Sequence, residues 1–191
     1  MPGLKGSRTE KNLVASFAGE SQARNRYTYF AKTAEKEGFP QIQTIFLETA
    51  DNERVHASRM FKFLEGGMVE ITARYPAGIV GTTEQNLEAA AAGEHEEQSS
   101  LYPEFAKIAL EEGFNEIASF YRLLCNAESF HERRYRSLLD NLKKNALWKK
   151  TATTQWRCEK CGYIAEGKDA PKICPCCQHP QKYFEVLAEN W

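Results

Sequence analysis

The sequence predicts a mainly α protein, a four-helix bundle followed by a small metal domain built on four cysteines. Three observations carry that prediction. Up to residue 147 the chain is rich in Ala, Glu, Leu and Lys and poor in helix breakers. Within that part, apolar residues recur at helical spacing, and each apolar stripe is interrupted near its middle by a carboxylate. Beyond it the composition turns to Thr, Gly, Pro and Cys, in "TATTQWRCEKCGYIAEGKDAPKICPCCQHP". The expected domains are therefore 1–147, a helical bundle, and 148–191, a metal-binding module.

Composition narrows the function classes. Lys and Arg number 25 against 26 Asp and Glu, a formal net charge of -1. No basic field attracts nucleic acid or an anionic membrane, so neither is an expected partner. The polar start "MPGLKGSRTEKN" and the lack of any apolar run of about 18 residues predict neither a leader nor a membrane span, and hence a cytoplasmic address. Four of the 6 cysteines crowd into the tail as two close pairs, which in a cytosolic chain reads as metal binding rather than disulfides.

Breaks at "EGFPQ", "GGMVEITARYPAGIVGTTE" and "EEGFNE" leave four helical stretches of roughly 25 to 30 residues, long for a globular helix and normal for a bundle. Thr83 followed by Glu84 suits the start of the third. Two connections are short and the middle one is long. That pattern predicts two antiparallel hairpins joined by a crossover, as in ferritin-like bundles.

Positions three and four apart share a helix face. The first stripe runs Leu13, Phe17, Glu20, Ala23, Tyr27, Phe30, Ala34. The second runs Phe46, Ala50, Glu53, Ala57, Met60, with His56 beside Glu53. The third runs Leu87, Ala91, Glu94, with Glu97 one turn on and Leu101 beyond. The fourth runs Ile117, Phe120, Leu124, Glu128, His131, Tyr135, Leu138. Charged residues near helix ends, such as Glu35, Glu37, Glu111 and Glu112, read as solvated. Glu20, Glu53, Glu94 and Glu128 do not, because an ionised carboxylate among apolar neighbours costs several kcal/mol unless it is paired or bound to metal. Arg24 or Arg54 could reach inward, but the carboxylates and imidazoles outnumber them, and a metal pair fits the charge better.

Glu53 with His56 and Glu128 with His131 are Glu-x-x-His pairs, whose members are helical neighbours able to share one metal. Single Glu residues on two helices and Glu-x-x-His on the other two form the ligand set of carboxylate-bridged di-iron and di-manganese bundles. The mixture of carboxylate and imidazole favours iron, then manganese. Spacing leaves two readings open for Glu97, an additional ligand or a surface residue of "GEHEEQ". It also leaves two for Tyr27 and Tyr102, hydrogen bonding to ligand carboxylates or simple core packing. His95, Glu96 and His179 receive no role.

In the tail, Cys158-x-x-Cys161 and Cys174-x-x-Cys177 can wrap one tetrahedral ion, either a zinc that staples a small module or a single iron that cycles by one electron. Cys176 falls outside that set, because pairing it with Cys174 would leave a tighter loop. Cys125 reads as a small core residue.

The segments "AGESQARNRY", "ETADNERVHASRMFKFLEGG", "AAGEHEE", "AESFHERR", "WRCEKCGY" and "CPCC" stand in the order and spacing of the rubrerythrin family, which the chain resembles over essentially its whole length. The resemblance implies a ferritin-like four-helix bundle followed by a small rubredoxin-like four-cysteine metal domain. It implies Glu20, Glu53, Glu94, Glu97, Glu128 and His131 as di-iron ligands, His56 as a ligand in the reduced state, and Cys158, Cys161, Cys174 and Cys177 on a mononuclear rubredoxin-type iron. The implied activity is reduction of hydrogen peroxide to water, with His56 and Glu97 exchanging on one iron. The electrons would come from a rubredoxin or an NAD(P)H-linked reductase. Val55, Cys125, Cys176 and Gln178 depart from the family pattern.

Two other function classes stay in view, a ferritin-like iron-oxidising enzyme and a non-enzymatic electron-transfer or metal-binding protein. His131 lies about 16 residues before the expected boundary, or roughly 24 Å along a helix. That separation, with an expected nine-residue linker from Trp148 to Trp156, points to a head-to-tail homodimer in which electrons cross between chains.

Overall fold

The computed structural model describes residues 3–190. Five α-helices are followed by a small sheet: α1 Arg8–Glu37, α2 Pro40–Phe63, α3 Thr83–Glu96, α4 Tyr102–Glu111, α5 Asn115–Lys143, then β1 Lys149–Cys158, β2 Ile164–Asp169 and β3 Phe184–Val186. No helix among the described residues is long and apolar enough to cross a membrane.

Local chemistry sets the helix ends. The Ser7 side chain accepts from the Glu10 amide at the start of α1. Gly38, at φ 85°, closes that helix in the left-handed conformation while the amide of Phe39 returns to Ala34 O at 2.8 Å. Pro40 then opens α2 at a position that needs no amide donor. α3 starts from Thr82, whose hydroxyl caps the Gln85 amide while Gln85 returns the bond. The helix begins at Thr83, as the Thr83–Glu84 pair suggested, with Thr82 as its cap.

α1 and α2 form one antiparallel hairpin and α3, α4 and α5 the other. The crossover between them begins beside the start of α1, where Glu65 Oε1 accepts from the Leu4 amide. It ends beside the far end of α1, where Glu37 accepts from the Thr83 amide at 2.9 Å. In between it passes Gly19, which Tyr75 approaches. Met68, Val69, Ile71, Tyr75, Ile79 and Val80 along it are exposed.

The third helix differs from its expected form. A π-helical turn, Glu97–Leu101, separates α3 from α4. The wider turn holds about one more residue than an α-turn and shifts everything after it by about 100°. Leu101, expected on the buried stripe, is therefore exposed, and Tyr102 is buried in its place.

The bundle core has two parts, one on each side of the carboxylates. Tyr27, Phe30, Phe46, Leu87 and Tyr135 lie on one side, and Leu13, Met60, Tyr102, Tyr121 and Leu124 on the other. The C-terminal residues build a sheet of order β2-β1-β3, antiparallel throughout, over a small core of Trp156, Ala170 and Phe184 with Cys158 and Cys174. The segment expected as a linker is strand β1. Trp148, just before it, stacks on Phe39 with ring centroids 6.1 Å apart, and Lys182 lies against Gly38, so this sheet sits at the α1–α2 turn.

Candidate functional site

Glu20, Glu53, Glu94 and Glu128 are 1, 2, 1 and 0 % exposed, one from each long helix and all at one level of the bundle. With the two histidines they form two overlapping groups. Glu20, Glu53, His56 and Glu128 offer ligand atoms within 4.8 Å of one another, as do Glu53, Glu94, Glu128 and His131. Glu53 and Glu128 belong to both, the placement of carboxylates that bridge two ions. His56 Nδ1 stands 2.9 Å from Glu53 Oε2 and 3.2 Å from Glu128 Oε1, while His131 Nδ1 stands 2.9 Å from Glu128 Oε2 and 3.3 Å from Glu53 Oε1.

Both tyrosines that spacing left open contact a ligand carboxylate. Tyr27 Oη donates to Glu94 Oε1 at 2.5 Å, and Tyr102 Oη donates to Glu20 Oε1. Each fixes one carboxylate oxygen and leaves the other pointing inward.

The inward atoms are short of partners. Glu53 Oε1, Glu94 Oε2, both Glu128 oxygens and His131 Nδ1 are buried without a hydrogen bond. So many unpaired acceptors around one point fit a pair of cations. Titration reflects the same shortage of positive charge. Burial and the Glu53 charge push the Glu94 carboxyl up to about 8 and raise Glu20 well above the usual range. Burial alone would pull His131 down, but the carboxylates of Glu128, Glu53 and Glu94 facing its Nδ1 at 2.9, 3.3 and 3.4 Å push it up to about 12, and His56 is raised likewise. Burial would raise Glu53, yet the two imidazoles hold it at about 2. In the metal-free chain, protons on these groups stand in for metal charge.

Divalent metal must displace those protons. Metal uptake by the bundle is thus expected to release protons near neutral pH, with affinity rising with pH because the raised groups lose their protons as it does. Titration calorimetry in buffers of different ionisation enthalpy measures the release. Affinity unchanged between about pH 6 and pH 8, with no proton released, would contradict this electrostatic account.

Glu97 belongs to neither group. It heads the π-turn, half-buried. Burial and the charges of Glu20, Glu94, Glu128 and Glu53 push its carboxyl well up, so it stands within reach of their field but outside the ligand positions.

A further contact had no signal in the spacing, because its residue lies off the α2 stripe. His131 Nε2 faces Asn52 Oδ1 at 3.2 Å.

In the tail, Cys158, Cys161, Cys174 and Cys177 converge, with Cys158–Cys177 and Cys161–Cys174 sulfurs each 3.7 Å apart. Four sulfurs around an ion at a metal–sulfur distance of about 2.3 Å stand about 3.8 Å apart, so the cage has tetrathiolate dimensions. The two knuckles repeat one another. Gly162 N bonds Cys158 O and Gln178 N bonds Cys174 O, both at 2.9 Å, and Cys158 N and Cys174 N reach Tyr163 O and His179 O. Gln178 takes φ 62° where Gly162 takes 77°, which is why glycine suits that position. Cys176 is exposed and outside the cage. His179 Nδ1 lies 3.3 Å from Cys177 Sγ, a contact that the sequence did not announce.

The rubrerythrin family model matches residues 11–139, and the model described as rubrerythrin, rubredoxin-like domain, matches residues 156–185. The chain belongs to the rubrerythrin family. It is 55% identical to the rubrerythrin of Nitratidesulfovibrio vulgaris over 191 residues, the whole of both chains. It is also 55% identical to that of Porphyromonas gingivalis, over 98% of this chain and 94% of the relative. Among solved structures, nigerythrin in a mixed-valence state is similar with a TM-score of 0.62 and 29% identity, over 96% of this chain and 91% of that one. The family accounts for a ferritin-like carboxylate–histidine centre and a four-cysteine rubredoxin-like centre in one oxidoreductase.

Proposed function

We propose that this protein reduces hydrogen peroxide to water at the carboxylate–histidine centre and draws its electrons through the four-cysteine centre. The observation that carries the reading is the pairing of two overlapping ligand groups, sharing Glu53 and Glu128, with a separate tetrathiolate cage. Iron at these places supplies two electrons at the bundle and a one-electron relay at the cysteines.

The chain's own groups do the rest. Glu53 and Glu128 hold the two positions at a fixed separation. Tyr27 and Tyr102 keep Glu94 and Glu20 turned inward. Glu97, its carboxyl raised by burial and by the charges of the other carboxylates, is placed to hold a proton next to the centre and release it as the charge there changes. We further assign the domains as 1–147 and 148–191, with Glu97 as the ligand that exchanges with His56.

The partner is a second copy, packed head to tail. Glu20 lies 18 residues before Gly38, where the tail domain docks, or about 27 Å along α1. A neighbour's tail would shorten that path. The apolar crossover residues, exposed on a single chain, fit burial against such a neighbour.

Anaerobic mixing of the fully reduced protein with two equivalents of peroxide per chain, a slight excess over the three electrons it holds, is expected to oxidise both centres much faster than mixing with dioxygen. Stopped-flow absorption follows it, the red tetrathiolate band lagging behind the bundle. Faster oxidation by dioxygen, with added ferrous iron consumed many times over, would support the iron-oxidising reading. No oxidation by either would leave an electron carrier.

A further inference from the structure

The two imidazoles at the bundle centre are held differently. His131 is 3 % exposed, its Nδ1 turned to Glu53, Glu94 and Glu128, and its far nitrogen, Nε2, set against Asn52 Oδ1 at 3.2 Å. His56 Nδ1 faces Glu20, Glu53 and Glu128 in the same way, but its far nitrogen has no hydrogen-bond partner among the described residues, and its side chain is 14 % exposed.

We propose that Asn52 is a positioning residue that locks His131 onto the metal position shared by Glu53, Glu94, Glu128 and His131. The proposal rests on the reading of this cluster as a two-metal centre. An imidazole can present a lone pair from Nδ1 only when its proton is on Nε2. The Asn52 oxygen accepts that proton, so it selects the metal-binding tautomer and fixes the ring's rotation about its Cβ–Cγ bond. Asn52 is well placed for this. It sits on α2 next to Glu53, so the residue that backs His131 and a carboxylate shared by both positions belong to one rigid turn. The His56 ring has no such brace on its far nitrogen.

The test uses the protein with iron kept in its four-cysteine site and Zn2+ loaded into the bundle as a redox-silent probe. Asn52→Leu keeps the side chain's shape and removes the acceptor, while Asn52→Asp retains it. In Asn52→Leu, one of the two bundle zinc ions is expected to leave to a chelator about 10- to 100-fold faster than in the parent, the range for loss of a group that orients a ligand. The Asp variant should release both at parental rates. Nitrogen-resolved NMR of the imidazoles should show an exchange-protected His131 Nε2–H in the parent and in Asn52→Asp, and its loss in Asn52→Leu. Release rates and a protected proton that are unchanged in Asn52→Leu would overturn the proposal, as would an Asp variant that behaves like the Leu one. A parent that takes up fewer than two zinc ions in the bundle would overturn the two-metal reading beneath it.

Discussion

Heterodimers that join a Cys158→Ala, Cys161→Ala chain to a Glu53→Ala, Glu128→Ala chain are expected to recover roughly half the parental peroxide turnover, from two homodimers that are each inactive with reduced rubredoxin as donor. The first chain has an intact bundle centre and no relay, and the second has a relay and no bundle centre. Within one chain the tail domain sits at the α1–α2 turn, 18 residues along α1 from Glu20, a span of about 27 Å over which tunnelling is slow. The proposed head-to-tail packing would instead bring each relay to the partner's bundle, so a mixed dimer would keep one of its two pathways whole. Native mass spectrometry identifies the mixed species, and turnover is measured on that fraction. Mixed dimers that form and stay inactive would place the transfer within a chain, as would a monomer that remains fully active at high dilution.

The second large effect separates a shared ligand from a movable one. Glu53→Ala should empty both metal positions, because Glu53 belongs to both ligand groups, and should cut peroxide turnover by more than about 100-fold, beyond the loss that merely misorienting a ligand causes. The same change removes a carboxylate that faces both imidazoles. The metal-free bundle should therefore lose about 3–5 kcal/mol in a denaturant titration, the cost of leaving buried charge without its partner. Glu97→Ala should keep the fold and both metals and slow turnover, since Glu97 stands outside both groups and the remaining ligands still close them. Metal analysis of the two variants decides the contrast. Two retained metals in Glu53→Ala would end the bridging assignment, and parental turnover in Glu97→Ala would return that residue to a surface role.

Most of the bundle was legible because its side chains obey one period. The α1, α2 and α5 stripes were read with little error, and the buried carboxylates stood out against apolar neighbours. The cysteine pairs were legible for a different reason, since a tetrahedral cage dictates its own spacing. What escaped shares a cause, in that each feature departs from a regular period or acts across it. The π-turn adds a residue that no propensity marks, so the face assigned to Leu101 belongs to Tyr102. Asn52 sits off its stripe and acts across the bundle on a residue 79 positions away. The Trp148–Phe39 stack joins a tail residue to a turn far upstream, and the expected linker proved to be a strand because it pairs with β2, on the other side of the first cysteine knuckle.

Two of the four central carboxylates come from the α1–α2 hairpin and two from the hairpin that ends in α5, with the crossover as the covalent link between these halves. Metal in the centre is therefore a clamp between halves as well as a reagent. By mass action, a ligand that binds only the folded form at 100 times its dissociation constant adds about 2.7 kcal/mol to stability, a large share of what holds a domain of this size. The chain's persistence in a cell thus becomes a function of metal supply. Scarcity both silences the chemistry and loosens the molecule that performs it.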